Sequence, residues 1–279
     1  MKYSPKNILQ ILEKHNFNFK KKFGQNFIID ENIINNIMTK SNVDKDTLVI
    51  EVGPGAGSLT YKLADYAKKV ICYEIDDTLS KVLEEVLSDK DNVEVIYEDF
   101  LKANVLEKIK DEKYEKLYVV GNLPYYITTP IIIKLIEDKI SVDKIVVMVQ
   151  KEVGDRFKAK PGSKDYSSLS IFLNYYFDVT KIMDIGKNVF VPKPNVDSIV
   201  VSFNKKETKL NLTNEELFFK LIRDSFKQKR KTLKNNLQGY NLDVVEKVLV
   251  KNGFDLSVRA EHLPIEVFIE IANTLGDLW

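Results

Sequence analysis

The segment that most restricts the fold of this chain is Leu48-Val49-Ile50-Glu51-Val52, an apolar run that breaks into Gly53-Pro54-Gly55-Ala56-Gly57. Ser58 to Ala67 follows with Leu59, Leu63 and Ala67 at helical spacing on one face. Strand, glycine turn and helix in that order form the context in which a loop can bind a nucleotide-like ligand. Glycines there let the backbone approach the ligand closely and take positive φ. The spacing is G-x-G-x-G, whereas dinucleotide binders use G-x-G-x-x-G, so a pyrophosphate cradle is disfavoured.

Three more strands are expected after this unit. Val70-Ile71-Cys72-Tyr73-Glu74 ends in an acid about 20 residues past the first glycine, the distance expected of a ribose-binding carboxylate. Val93-Glu94-Val95-Ile96-Tyr97-Glu98-Asp99 also ends in acid, and Leu117 to Gly121 delivers Asn122. Four strand ends thus carry Gly53, Glu74, Asp99 and Asn122 in order, and ligands of open α/β sheets sit outside the carboxyl ends of the strands. A solvated strand end explains any one of these acids. It does not explain the series.

Asn122-Leu123-Pro124-Tyr125 suits one difficult reaction. The exocyclic amine of adenine is a poor nucleophile because its lone pair is delocalised into the ring. Accepting hydrogen bonds from its N–H groups frees that pair, and an Asn side-chain oxygen with a backbone carbonyl supplies two acceptors. Proline, with fixed φ and no N–H, can hold the carbonyl outward. A following Tyr offers a flat face for a base taken out of its stack. The plainer reading is a strand ending in a Pro turn, with Tyr125 and Tyr126 as half-buried aromatics.

A chain of 279 residues, 44% hydrophobic, has room for one α/β domain of about 200 residues and a small appendage. It has no run of about 20 apolar residues to span a membrane, and Met1 to Lys6 lacks the apolar core of a secretory signal. One cysteine, Cys72, excludes intrachain disulfides and thiolate clusters, and two histidines make a histidine-rich metal site unexpected. A cytoplasmic, metal-independent monomer is expected. The first domain is expected over 1–204 and includes two strands at Val179 to Asp184 and Ser198 to Phe203. Asn204 to Lys209 is polar, and 205–279 reads as a second domain of helices at Glu215 to Ser225, Lys229 to Leu237, Leu242 to Asn252 and Ile265 to Leu275. At the other end, Ile8 to Asn18 reads as a helix.

A net charge of +1 means that any nucleic-acid binding must come from local clusters. Lys20 to Lys22, the Arg156-to-Lys164 loop, and Lys220 to Lys234 are such clusters; the last holds seven Lys or Arg against the single Asp224. Within it Lys227, Lys229, Arg230 and Lys231 are candidates to neutralise RNA phosphates from exposed helix faces, although a merely solvated helix has the same pattern.

Together, Lys22 to Phe27 (KFGQNF), Glu51 to Gly55, Asn122 to Tyr125, Gln150 to Val153 and Phe190 to Ser198 resemble the S-adenosylmethionine-dependent ribosomal RNA adenine N6-dimethyltransferases, almost end to end. Ser225 to Leu237 and Arg259 to Leu263 are most similar to the bacterial branch acting on 16S rRNA near its 3′ end. The resemblance implies a Rossmann-like α/β methyltransferase sheet with a small C-terminal all-helical domain. It also implies S-adenosylmethionine as cofactor, the immature 30S subunit as partner, and two adjacent adenosines each receiving two methyls. Asn26 and Ile28 would help close the cofactor pocket, Gly53 and Gly55 would pass close to the cofactor, Glu74 would hold its ribose, and Asp99 its adenine amine. Asn122 and the Leu123 carbonyl, shaped by Pro124, would bind the target amine beside the cofactor. Tyr125 and Phe190 would sandwich the base, with core packing an equal alternative for Phe190. A macrolide-resistance-type 23S rRNA methyltransferase and a largely non-catalytic ribosome-assembly factor remain as rivals. A nicotinamide-dependent dehydrogenase fails on the glycine spacing.

Overall fold

Strands covered on both faces need apolar residues at nearly every position, and the run Thr47–Val52 is buried at all six. The computed structural model of the chain describes residues 7–123, 127–207 and 211–276. Its strands are β1 (Phe27–Ile28), β2 (Thr47–Val52), β3 (Lys69–Tyr73), β4 (Val93–Ile96), β5 (Lys116–Asn122), β6 (Lys144–Gln150), β7 (Phe177–Ile185), β8 (Phe190–Val191) and β9 (Ser198–Lys205). The α-helices are α1 (Ile8–Lys14), α2 (Glu31–Ser41), α3 (Ser58–Tyr66), α4 (Ser80–Val86), α5 (Val105–Ile109), α6 (Thr128–Glu137), α7 (Lys151–Phe157), α8 (Ser168–Tyr176), α9 (Glu215–Ser225), α10 (Leu233–Asn236), α11 (Leu242–Lys251) and α12 (Ile265–Gly276).

Seven strands form one sheet in the order β4-β3-β2-β5-β6-β9-β7, and β1 pairs with β8 as a separate antiparallel ribbon. Neighbours from β4 to β6 are parallel, while β9 runs antiparallel to β6. From β2 the chain adds β3 and β4 on one side, then returns to place β5 on the other side of β2. The gap between β2 and β5 is therefore the topological switch point, where such sheets open a crevice. Gly53 and Asn122 stand at its two lips. Apolar side chains of α2, α3, β2, β3, β5 and β6, among them Ile37, Leu63, Val49, Val70, Val120 and Val146, cover one face of the sheet. Each buried residue of this size contributes roughly 1.5–3 kcal/mol relative to an exposed one.

The chain divides into two compact units: Met1–Gly154 with Thr180–Asn204, and Asp155–Val179 with Lys205–Trp279. The second is helical and has its own core, in which Tyr166 and Ile171 join Phe218, Leu221, Val245, Leu249, Phe268 and Ile271. Asn214 and Asn241 start α9 and α11 by accepting hydrogen bonds from Leu217 N and Val244 N. Residues 155–179, read from sequence with the sheet, belong by packing to this helical unit.

Three segments differ from the sequence expectation. The first helix ends at Lys14, because the chain turns at Asn16 with φ 52°. Strand β4 stops at Ile96, so Asp99 lies in the following loop, where its Oδ1 accepts from Leu101 N at 3.0 Å. Lys227 to Lys231 form a turn rather than a helix. Asn236 Nδ2 donates to the carbonyls of Ser225 and Gln228, and only Leu233–Asn236 closes an α-turn after them.

Candidate active site

The glycine loop leaves β2 with Gly53, Gly55 and Gly57 at φ +71°, +58° and +83°, a region that L side chains rarely adopt. A Cβ on Gly53 would meet nothing within 4 Å, so this glycine leaves an open face, and it lines the cavity described below. One on Gly55 would lie 2.7 Å from Phe27 Cε1; that glycine is required by the Phe27 ring packed on the loop. The loop then feeds α3, and Gly53 N is anchored on Tyr73 O at 2.9 Å.

Glu74 follows directly from β3 and is 4% exposed. Its Oε2 accepts from Gly55 N at 3.0 Å and its Oε1 from Asp76 N at 2.8 Å, so the carboxylate is fixed in orientation. Burial pushes its carboxyl above the usual range, and the two backbone donors oppose that rise. Glu51, within β2, is fully buried and pushed up to about 7 by desolvation, against the Thr60 and Cys72 side chains that favour its ionised form. The Cys72 thiol approaches Glu51 Oε2 at 3.6 Å and is itself raised well above its ordinary value by burial and then by Glu51.

These groups enclose a cavity of about 450 Å³. Asn26, Ile28, Gly53, Gly55, Glu74, Asp99 and Asn122, all expected at a cofactor site, line it together. Glu51 and Glu98 also line it, and no Lys or Arg does among the described residues. Four carboxylates without a cation suit a cationic ligand rich in hydroxyl and amine donors and repel a phosphate. The donor set and the open face at Gly53 therefore fit S-adenosylmethionine.

At the second lip of the crevice, Asn122 Nδ2 donates to Asn26 O at 2.6 Å. With the amide nitrogen committed, Oδ1 is the end left for an incoming donor. Leu123 is buried, and its N–H donates to Met148 O at 3.2 Å. Pro124 and Tyr125 lie outside the described residues. Phe190, 3% exposed, packs in the sheet core opposite Ile28 and also lines a small cleft with Asn122, Leu123 and Pro194. That cleft has a volume of about 10 Å³, room for about one water, so a base could enter only as side chains moved.

Sequence reading missed part of this site. Glu51 reads as one more residue of a buried strand. Ile75, 51% exposed, offers an apolar face at the cavity next to Glu74. Asp76 is 1% exposed, and its carboxylate accepts from Lys20 Nζ at 2.6 Å and Gln25 Nε2 at 2.7 Å. In the helical unit, Lys227, Lys229, Arg230 and Lys231 are exposed, and Lys229 Nζ donates to Lys164 O, which joins the basic turn to the 158–164 loop; Arg156, read from sequence as part of that loop, is in α7. Gly162 N in turn donates to Glu261 O, bringing Arg259 and His262 to the same region. No helix among the described residues is long and apolar enough to cross a membrane.

A mixed sheet whose parallel part opens at its switch point on an acid-walled, phosphate-averse cavity, with an oriented asparagine amide at its lip, defines a methyltransferase of the S-adenosylmethionine type. The family model for ribosomal RNA adenine dimethylase matches residues 16–277. The chain belongs to the ribosomal RNA adenine dimethylase family, and it is an rRNA adenine-dimethylating enzyme. It is 49% identical to a protein of Staphylococcus aureus named ribosomal RNA small subunit methyltransferase A, over 96% of this chain and 93% of that one. Among solved structures it resembles a dimethyladenosine transferase from Plasmodium falciparum, with TM-score 0.74, 28% identity, and 89% and 96% of the two chains covered. It also resembles the 23S rRNA methyltransferase ErmE, with TM-score 0.72, 27% identity, and 90% and 100% covered.

Proposed function

We propose that this enzyme uses S-adenosylmethionine to dimethylate N6 of two adjacent adenosines near the 3′ end of 16S rRNA, acting as a monomer on the immature small subunit in the cytoplasm. The observation that carries the chemistry is the hydrogen bond from Asn122 Nδ2 to Asn26 O. It commits the nitrogen end of the amide and leaves the oxygen to accept from an amine. When bound, the cofactor supplies an electrophilic methyl. Glu74 would accept from its ribose hydroxyls and Asp99 from its adenine amine, and the acids Glu51, Glu74 and Glu98, which line the same cavity, would favour its positive charge.

Asn122 Oδ1 and the Leu123 carbonyl would accept from the two N–H groups of the target amine and hold its nitrogen at the lip of the cofactor cavity. Tyr125 would cover one face of the base, and Phe190 the other once the side chains at its cleft have moved. No general base is needed: the ammonium formed by transfer is strongly acidic and loses its proton to water. Positioning and the acceptor pair therefore dominate the rate. After the first transfer one N–H remains for an acceptor, which lets the same site act twice. The turn from Lys227 to Lys231, with Arg156 at the end of α7 and the 158–164 loop, neutralises rRNA phosphates and orients the particle. The small-subunit name of the Staphylococcus aureus relative favours this target over a 23S rRNA substrate.

Asn122→Ala tests the reading. Methyl transfer from labelled cofactor to immature 30S particles should fall by roughly 100-fold or more, the scale of removing one preorganised hydrogen bond from a transition state. Particle binding should be unchanged. Near-normal turnover would remove Asn122 from the mechanism, and preferential labelling of 50S particles would reassign the substrate.

A further inference from the structure

Residues 20–28 are attached at three points around the cavity. At one end Lys20 Nζ and Gln25 Nε2 hold the two oxygens of Asp76, Thr78 Oγ1 adds a third bond to Oδ1, and Lys20 N donates to Gln25 Oε1 at 2.7 Å. Asp76 N is itself the donor to Glu74 Oε1. At the other end Phe27 lies on Gly55, close enough to exclude a Cβ there, and β1 pairs with β8. Between these two attachments the carbonyl of Asn26 receives Asn122 Nδ2. Residues 23 to 28, without a break, form one wall of the cavity.

We propose that this segment is a strap that makes enclosure of the cofactor and alignment of the Asn122 amide a single event. Its Lys20–Gln25–Asp76 clamp sits beside the cofactor-binding carboxylate Glu74, and its Asn26 carbonyl holds the amide. The inference rests on the assignment of Asn122 and the cavity given above. Asp76 is almost wholly buried, and the Lys20 ammonium and Gln25 amide hold its oxygens from the strap; this lowers its carboxyl pKa against the effect of burial. Displacing Lys20 and Gln25 would leave that charge short of partners, so the strap is held shut strongly at one place. A strap lifted from Asp76 carries Gln25 with it, and Asn26 is the next residue. The amide of Asn122 then loses the carbonyl that selects which of its ends faces the amine. Lys20, Gln25 and Asp76 are positioning residues in this account, since none reaches the reacting atoms.

Lys20→Met breaks the charged bond at the clamp and leaves the sheet core untouched. Two quantities should move together in the full-length protein. Release of S-adenosylhomocysteine, followed by stopped flow, should quicken by about tenfold, the scale of one charge-assisted hydrogen bond. Turnover on small-subunit particles at saturating cofactor should also fall several-fold, which a wall that merely helped binding would not produce. Lys20→Arg should restore both. Gln25→Ala, which removes the neighbouring bond to Asp76, should repeat the pattern at smaller size and covers the case in which Lys20→Met lowers the folded fraction. Faster release with normal saturated turnover, slower turnover with normal release, or no change in either overturns the coupling. The assignment of Asn122 fails by a different result, normal turnover of Asn122→Ala.

Discussion

Replacing Glu74 by Gln separates the task that the structure gives this carboxylate, bracing two backbone N–H groups, from the one proposed for it, holding a ribose. Its two oxygens each accept one backbone N–H, from Gly55 at 3.0 Å and from Asp76 at 2.8 Å. Glutamine keeps the shape but has one acceptor oxygen and one NH2 group, so one of those N–H donors must face another donor. An unsatisfied buried N–H costs about 1–3 kcal/mol, which should lower the melting temperature by a few degrees in a protein of this size. The cofactor loses at least one charge-assisted bond to its ribose, about 1.5–3 kcal/mol, or roughly 10- to 100-fold in Kd. Calorimetry with S-adenosylhomocysteine reads the second effect, and a thermal melt without cofactor reads the first. A lowered melting temperature with an unchanged Kd would refute the ribose assignment and leave Glu74 as a brace for the glycine loop.

Glu51 makes the cofactor site pH-dependent. Its carboxyl is pushed from 4.5 to about 7 by burial, so the folded chain prefers it neutral; that contribution to stability is complete below pH 4.5 and is lost as pH rises through 7. A cationic cofactor prefers the carboxylate, so affinity should strengthen from pH 6 to pH 8, and Glu51→Gln should flatten that rise in calorimetry. Replacing Lys227, Lys229, Arg230 and Lys231 together by Gln should weaken binding to the small subunit without altering cofactor affinity. Every phosphate that is no longer neutralised should lower the slope of log affinity against log salt by about 0.7–0.9; an unchanged slope in a folded variant would place the RNA surface elsewhere.

The parallel part of the sheet was legible because each strand is a short apolar run with its own punctuation. The site was legible for a related reason: in this topology whatever follows a strand faces the crevice, so Glu74 and Asn122 could be located without knowing any side-chain partner. Asp99 lines the cavity although its strand ends three residues earlier, since the loop still enters it. Other features carry no local signal. The β1–β8 ribbon has two residues per strand, drawn from opposite ends of the first unit. The clamp on Asp76 joins side chains 51 and 56 residues away along the chain. Residues 155–179 continue an α/β pattern in sequence, and only the packing of Tyr166 and Ile171 on Phe218 and its neighbours assigns them to the helical unit. Nothing in an apolar run marks Glu51 as the acid that will be left without water.

The wall of carboxylates has a consequence for the rhythm of the reaction. Methyl transfer turns a sulfonium into an uncharged thioether, so the cavity holds the spent molecule by one ionic attraction fewer than the fresh one. Dimethylation of one base requires two such exchanges. An acidic chamber with no Lys or Arg among its described residues would thus discriminate by charge state between the loaded and the used form of nearly the same molecule, and the chemical step itself would loosen the grip that has to be released before the next.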